Sequence, residues 1–350
     1  MAHQKATNLP LSKKKRKSFP PYPIRKASAT GLKCGGMVIG CTFDHRVADA
    51  YSANMFLVAW AETAASKPLT TIPSFRRSLL SPRRPGLYGC SIDDFYVPVK
   101  ATVVVPKGLH DPITSRIYHI PCEQLDRLQS EATDLKNGRP RTKLESFSAF
   151  LWKMVAKHAC SNGGDAETKI CKMGIVVDGR RRLSIIEGGL NEELMIRYFG
   201  NVVSIPYGGK SGDELKEKPL SWVAETVQEF LENAATKEHF QGLIDWVEAH
   251  RPEPAMVRVY SCSKDDGPAF VVSSGRGFTV AEVDFGWGKP VFGSCHFRWG
   301  GGCGYVMPML SPDGSGDWVV YMHLSKGQLD YVETAAPHVF KRLSLDLITS

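Results

Sequence analysis

The stretch GMVIGCTFDHRVADAYSANMFLVAWAE, from Gly36 to Glu62, carries the reading of the fold. Its first part, Met37 to Phe43, is an apolar run entered from glycine, the mark of a buried strand. Its second part, Tyr51 to Glu62, sets Met55, Val58, Ala59 and Glu62 at helical spacing, so an amphipathic helix is expected there. Between the two lie His45 and Asp49, an H-x-x-x-D pair at a strand-to-helix junction. Such a junction can aim a side chain into a cleft while its backbone stays fixed. Two readings are open. In one, Asp49 caps the helix and His45 is an ordinary turn histidine. In the other, His45 is a general base, because neutral imidazole is available near physiological pH to take a proton from an alcohol or amine. Asp49 then fixes local geometry by pairing with an arginine.

A second string, Asp284-Phe285-Gly286-Trp287-Gly288-Lys289-Pro290, puts two glycines round a tryptophan and closes on a proline. H-x-x-x-D early and D-F-G-W-G late, in this order, resemble the plant BAHD family of acyl-CoA-dependent acyltransferases. Further matches lie between and after them: Leu144 to Trp152 (LESFSAFLW), Val177 to Arg180 (VDGR), Tyr198 to Asn201 (YFGN) and Gly304 to Pro308 (GYVMP). The resemblance runs from about Thr30 to the C-terminus. It implies an α/β fold of two domains like the halves of chloramphenicol acetyltransferase, with the active site at their interface. On this reading residues 1–29 are a basic tail, 30–80 a partial N-terminal domain carrying H-x-x-x-D, 81–114 a crossing loop and 115–350 a C-terminal domain carrying D-F-G-W-G. The family carries several strands and helices before H-x-x-x-D, whereas 44 residues precede His45 here. The first domain is therefore expected to be incomplete, and a catalytically impaired remnant is the alternative to an active enzyme.

Composition bounds the remaining classes. A chain of 350 residues with 43% hydrophobic content can bury a large core, and its length suggests two domains. No apolar run reaches the length of a membrane-spanning helix, and no signal-peptide pattern follows the N-terminus. Nine cysteines without C-x-x-C spacing favour a reducing compartment and argue against a zinc site or a disulfide framework. The formal charge of +8 is concentrated at one end. Residues 1–43 hold nine Lys or Arg and no Asp or Glu, which leaves 35 basic against 36 acidic side chains in the rest. A nucleic-acid surface on the folded body is not expected on charge grounds. Met1 to Ala29, centred on Lys13 to Lys17, lacks periodicity and is expected to be disordered, a solvated tail rather than a targeting patch. The protein is expected to be cytoplasmic, monomeric and free of membrane and nucleic-acid partners.

Along the chain, Lys67 to Ser115 is broken by seven prolines and reads as a long crossing between domains. Ser115 to Ile120 reads as a strand and Glu123 to Asp134 as a helix. Thr142 with Glu145 forms a capping box that opens a helix with Phe147, Phe150, Leu151, Met154 and Val155 on one face. Arg141 and Ser146, with Arg139, Lys143 and Ser148, lie at its start, where basic and hydroxyl groups suit a polyanionic coenzyme A or simply face water. Cys171 to Asp178 is expected as one buried strand, Ser221 to Ala235 and Glu238 to His250 as helices, and Asp317 to Leu324 as a strand. Ser325 to Leu343 is expected as a last helix kinked at Pro337.

The resemblance also assigns roles. His45 takes the acceptor's proton, and acyl-CoA is a co-substrate, with no bound cofactor and no metal. Arg180 pairs with Asp49, a structural role. Asp284, Gly286, Trp287 and Gly288 shape the coenzyme channel, their turn built round a buried indole. Ser273 is the candidate oxyanion donor, with Asn201 a further oxyanion or acceptor contact. Gly275 stands where some relatives carry a bulky aromatic, so the acceptor side is expected to be open. The wording FDHRVADAYSANMF resembles the hydroxycinnamoyl and monolignol acylating subgroup, with shikimate, quinate or a polyamine as the next acceptors.

Overall fold

The computed structural model describes residues 24–99, 113–133, 140–161, 168–184, 190–261, 266–278, 280–294, 303–311 and 313–344. In chain order the first elements are β1 (Ile24–Gly31), β2 (Met37–Phe43), α1 (Ala50–Ala64), α2 (Ser91–Phe95), β3 (Tyr96–Pro98), β4 (Ile113–Ile120), α3 (Cys122–Ala132) and α4 (Lys143–Ser161). Then follow β5 (Ile170–Ile175), β6 (Val177–Asp178), α5 (Arg180–Ser184), α6 (Leu190–Ile196), β7 (Val203–Ser204), β8 (Tyr207–Ser211), α7 (Gly212–Glu217), α8 (Leu220–Ala234) and α9 (Lys237–Ala249). The chain ends with β9 (Ala255–Val257), β10 (Ala269–Val272), β11 (Cys303–Leu310), β12 (Trp318–Ser325), α10 (Lys326–Ala335) and β13 (Lys341–Arg342).

Seven strands form one mixed sheet in the order β13-β4-β12-β11-β10-β5-β8. Its middle is parallel, β10 lying between β5 and β11, and its flanks are antiparallel. The side-chain period of two sorts residues between the faces. Phe270, Val272 and Val306 face a core with α3, α4, α8 and α10, where Phe147, Leu151 and Trp152 are wholly buried. Val271, Tyr305, Met307 and Tyr321 face a second core with Val259. Because β11 and β12 are covered on both faces, their sequences are nearly continuous apolar runs. The sheet, with its helices, is the α/β architecture expected.

Several local expectations are corrected. Met37–Phe43 is a strand, but it is exposed to half-buried, because it pairs only with β1 in a two-stranded ribbon outside the main sheet. Residues 24–29, assigned to a disordered tail, lie in β1, and Lys13 to Lys17 fall outside the described residues. The crossing segment carries α2 and β3, the latter paired with β9. Asp245 on α9, 2% exposed, ties it down by accepting from Arg83 N (2.7 Å), Arg83 Nε (2.7 Å) and Leu87 N (2.8 Å). Cys171–Asp178 is broken at Val176, whose N–H goes to Val272 O, and β6 leaves to pair with β7. The last helix stops at Ala335 rather than bending, since the residue before Pro337 is disfavoured from helical backbone; β13 follows. The Thr142–Glu145 reciprocal cap is formed, with Thr142 N donating to Glu145 Oε2 (2.7 Å) and Glu145 N to Thr142 Oγ1 (3.2 Å).

Gly304 lies where β11 meets β12 and the facing side chains. A Cβ there would sit 2.2 Å from Leu324 Cδ2, 3.1 Å from Phe270 Cβ and 3.2 Å from the His323 carbonyl. Gly304→Ala should therefore overpack the central strands at a cost of about 1–3 kcal/mol. A thermal melt should show a Tm lower by roughly 2–4 °C per kcal/mol lost. An unchanged Tm would mean that the strands absorb the methyl.

Candidate active site

The turn between β2 and α1 is built from its own residues. Asp44 is buried, and its carboxylate accepts from Arg46 N (3.1 Å), Nε (3.0 Å) and Nη2 (2.7 Å). Its carbonyl accepts from Val47 N (3.0 Å) and Ala48 N (3.3 Å), which ends the strand in a tight turn. Asp49 is the N-cap of α1, with extended backbone and Oδ1 accepting from Ser52 N at 2.9 Å. His45 stands between these two carboxylates, exposed, and its carbonyl accepts from Asn201 Nδ2 at 2.7 Å.

Beneath the turn lies a buried ion pair. Arg180 Nη2 is 2.8 Å from Asp49 Oδ2, with the two side chains 1% and 3% exposed. The pair is saturated by neighbours. Asp49 Oδ2 also accepts from Val202 N (3.0 Å), and the Arg180 guanidinium also donates to Tyr198 O, Gly200 O and Ser52 Oγ. Its Nη1 reaches Asp178 Oδ1 at 3.1 Å, and its plane lies 4.8 Å from the Tyr51 ring centroid. Arg180 is carried by α5 and Asp49 by α1, 131 residues apart. The segment 198–202 runs between them and is held on its other side by the crossing segment. Ser74 N donates to Arg197 O, Phe199 N to Ser74 O, and Arg77 Nη1 to Tyr198 Oη at 2.7 Å. Gly200 is required by this crowding, because a Cβ would sit 2.6 Å from the Tyr198 ring and 2.9 Å from Arg77 Nη1.

Residues 284–288 form a separate loop. Asp284 Oδ1 accepts from Gly286 N (2.8 Å) and Gly288 N (3.1 Å), and both glycines have positive φ, 93° and 110°. These backbone N–H groups hold the Asp284 carboxyl below its ordinary range. The expected buried indole is corrected: Trp287 is 68% exposed. It stacks on Phe285, which in turn meets Trp60 of α1 edge-on at 5.0 Å. The loop thus packs on α1 through Phe285, leaving the tryptophan on the outside.

Other sequence candidates fall elsewhere. Ser273, 8% exposed, follows β10 with its N–H donating to Val306 O. The opening expected at Gly275 is corrected, since a Cβ there would lie 2.8 Å from Met309 Cγ and 3.1 Å from the Phe278 ring, which fill the space. Ser146 is wholly buried and donates to Thr142 O. Arg141 is 5% exposed, and its Nε has no hydrogen-bond partner among the described residues. Arg139 lies outside the described residues. Sequence reasoning missed Ser52 and Arg77. A serine three residues after an N-cap aspartate carries no periodic signal, and Arg77 sits in a proline-rich segment read as a loop.

The Transferase family profile matches residues 3–339. The chain belongs to this family, which is the BAHD group. Among curated relatives, the omega-hydroxypalmitate O-feruloyl transferase of Arabidopsis thaliana is 26% identical over 278 residues, 79% of this chain and 56% of the relative. The shikimate O-hydroxycinnamoyltransferase of Nicotiana tabacum is 25% identical over 304 residues, 84% of this chain and 65% of the relative. The chain thus spans 56% to 65% of the length of these two proteins. Among solved structures, F. sporotrichioides TRI101 complexed with coenzyme A and T-2 superposes with a TM-score of 0.71 at 15% identity, over 94% of this chain and 73% of that one. Vinorine synthase gives a TM-score of 0.62 at 17% identity, over 91% of this chain and 67% of that one. These superpositions establish the chloramphenicol acetyltransferase-like fold.

Two outcomes follow from the site. Asp49→Asn removes the buried counter-charge of Arg180 and leaves it only the more exposed Asp178, so urea denaturation should show a loss of about 3–5 kcal/mol. A wild-type midpoint would show that the other acceptors suffice for Arg180. Asp284 has a folded pKa below its unfolded value, so its stabilising contribution is present above the ordinary carboxylate range and is lost as pH falls through the folded value. The Tm gap between wild type and Asp284→Asn should be present at neutral pH and close on acidification below about pH 4. A gap that persists unchanged at low pH would rule out the carboxylate as its source.

Proposed function

We propose that this chain transfers an acyl group from an acyl-CoA to the hydroxyl or amine of a small metabolite, with His45 as the general base. The observation that carries this reading is an exposed imidazole on a turn whose backbone is clamped by the buried Asp49–Arg180 pair. A base on such a support keeps its position while its side chain lies at the surface.

The chemistry is a single displacement through a tetrahedral intermediate. The His45 imidazole takes the acceptor's proton as the acceptor oxygen or nitrogen forms its bond to the thioester carbonyl carbon. The carbonyl electrons move onto oxygen, and Ser273, buried at the end of β10, is the side chain assigned to stabilise that oxyanion. Collapse breaks the carbon–sulfur bond, and the imidazolium returns its proton to the leaving thiolate, regenerating neutral His45. Asp49 takes no proton in this scheme, because its carboxylate is committed to Arg180, Ser52 N and Val202 N. Arg141, whose Nε has no hydrogen-bond partner among the described residues, is the group proposed for the polyanionic end of coenzyme A.

The donor proposed is an aromatic acyl-CoA of the hydroxycinnamoyl class. This rests on the feruloyl and hydroxycinnamoyl transferases among the relatives. The acceptor proposed is a phenylpropanoid alcohol, followed by a polyhydroxy acid or a polyamine. The test is a panel of acyl-CoAs and acceptors read by release of free coenzyme A, run on wild type and His45→Ala. Wild type should turn over at least one pair, and His45→Ala should lose about 10²–10⁴-fold in kcat. Equal release by both proteins, or no release by wild type with any pair, would overturn the proposal.

A further inference from the structure

The sequence suggests Asn201 as a group that touches substrate, yet its amide is used on the protein itself. Asn201 Nδ2 donates to the main-chain carbonyl of His45 at 2.7 Å, across 156 residues of chain. The hydrogen bond joins segment 200–202 to the residue before the N-cap turn of α1. Asn201 in turn is held by its two neighbours. Gly200 O accepts from Asp49 N (3.2 Å) and Ser52 Oγ (2.9 Å), and Gly200 N donates back to Ser52 Oγ (3.0 Å). On the other side Val202 N donates to Asp49 Oδ2.

Ser52 is the centre of this lacing. It is wholly buried, and its hydroxyl makes three contacts: one donated to Gly200 O and two accepted, from Gly200 N and Arg180 Nη2. A hydroxyl has one hydrogen and two lone pairs, so every bonding capacity of Ser52 Oγ is filled. No freedom is left for the 200–202 segment to slide along α1 without breaking several buried bonds together.

We infer that Asn201 is a positioning residue that sets the base through the His45 carbonyl, and that Ser52 is the latch that holds Asn201 in reach. The inference rests on His45 being the base. It is otherwise independent of which substrates the protein takes. Turn residues 45–48 are tethered locally by Asp44, a short-range contact within the same turn. The Asn201 bond is a long-range one that acts on the backbone of His45 itself, whereas the Arg180, Gly200 and Val202 contacts act at Asp49, the far end of the turn. Loss of it should let the imidazole wander without unfolding the protein, because Asn201 is half-buried and its bond lies at the surface.

The experiment compares wild type, Asn201→Ala, Asn201→Asp, Ser52→Ala and the Ser52→Ala/Asn201→Ala double variant. Steady-state kinetics and amide hydrogen exchange are measured on each. Asn201→Asp is nearly isosteric but lacks the N–H, so it should behave like Asn201→Ala. Both should lower kcat on the order of tenfold with KM unchanged, since a misplaced base costs rate rather than binding. Exchange should rise in peptides covering 44–49 and stay unchanged in 303–310. Ser52→Ala should raise exchange in both 44–52 and 198–203, and the double variant should lose no more kcat than the larger single, because both act through one carbonyl. Multiplying kcat losses, or unaltered 44–49 exchange in the Asn201 variants, would overturn the inference. If Ser52→Ala does not fold, the two Asn201 variants decide alone. If wild type shows no turnover, the proposed function fails by itself and the exchange arm still decides whether Asn201 tethers the turn.

Discussion

The structure depends on one carboxylate and one guanidinium held out of water. Asp49 and Arg180 are 3% and 1% exposed, and removing two such charges from solvent costs several kcal/mol per ion before any attraction is counted. The arrangement is tolerable because neither ion is left with idle hydrogen-bonding capacity. Asp49 collects three donors, and Arg180 reaches two carboxylates, one hydroxyl and two carbonyls. A hydrophobic pair of the same volume would pack as stably, on general grounds, but would not specify direction. The ion pair does specify it: it holds the start of α1 against α5 in one register, so the residue four positions before Asp49 has one place to be.

What supplies the arginine is β5, the strand next to the β8 edge of the main sheet. β5 runs parallel to β10, leaves the sheet at Val176 and pairs as β6 with β7, which delivers Arg180 at the start of α5. β7 itself is buttressed from beneath. Ser204 Oγ lies 2.8 Å from His239 Nε2 and 3.0 Å from Tyr96 Oη, and Ile205 N donates to the same phenol at 3.2 Å. Burial pushes the His239 imidazole down, which keeps it neutral among the Phe95 and Phe240 rings. Segment 198–202 is therefore fixed from three sides: α1 above, the crossing segment through Arg77 and Ser74, and the Tyr96–Ser204–His239 chain behind.

Much of this was legible in the sequence, and the losses have physical reasons. Periodicity found α1, α8 and α9 to within about two residues, and the start and core stripe of α4, because each buries one face on a large core. Asp317 to Leu324 was legible as β12, which is covered on both faces, whereas β11 was legible only as the string Gly304 to Pro308. The apolar-run rule misread β2: Met37 and Val38 are apolar and exposed, and periodicity reports composition, not what lies against it. Trp287 failed for a related reason, since its partner is the neighbouring Phe285 rather than the core. The ligands of Arg180 at Asp49 and Asp178 lie in recognisable strings, whereas Ser52 and Asn201 act through backbone groups, and no residue pattern encodes a main-chain partner 148 or 156 positions away.

The two strings that mark the sequence meet at opposite ends of α1, one at the Asp49 cap and the other against Trp60. The helix begins at the Asp49 cap, and Phe56 and Trp60 lie about one and two turns further along it than Ser52, which meets Arg180. Phe43, Phe56, Trp60, Phe285 and Trp287 form a chain of ring contacts at 6.1, 6.2, 5.0 and 5.7 Å. The chain starts at the last residue of β2, two positions before His45, and ends in the glycine loop whose shape Asp284 sets by gathering two N–H groups. An N-terminal turn fixed only by its ion pair could still tilt with its helix. A helix braced further along by Phe285 on Trp60 tilts only by moving a loop whose Gly286 and Gly288 are at positive φ. Support for the turn that carries His45 is in this sense shared between a buried charge pair at one end of α1 and an aromatic brace towards the other.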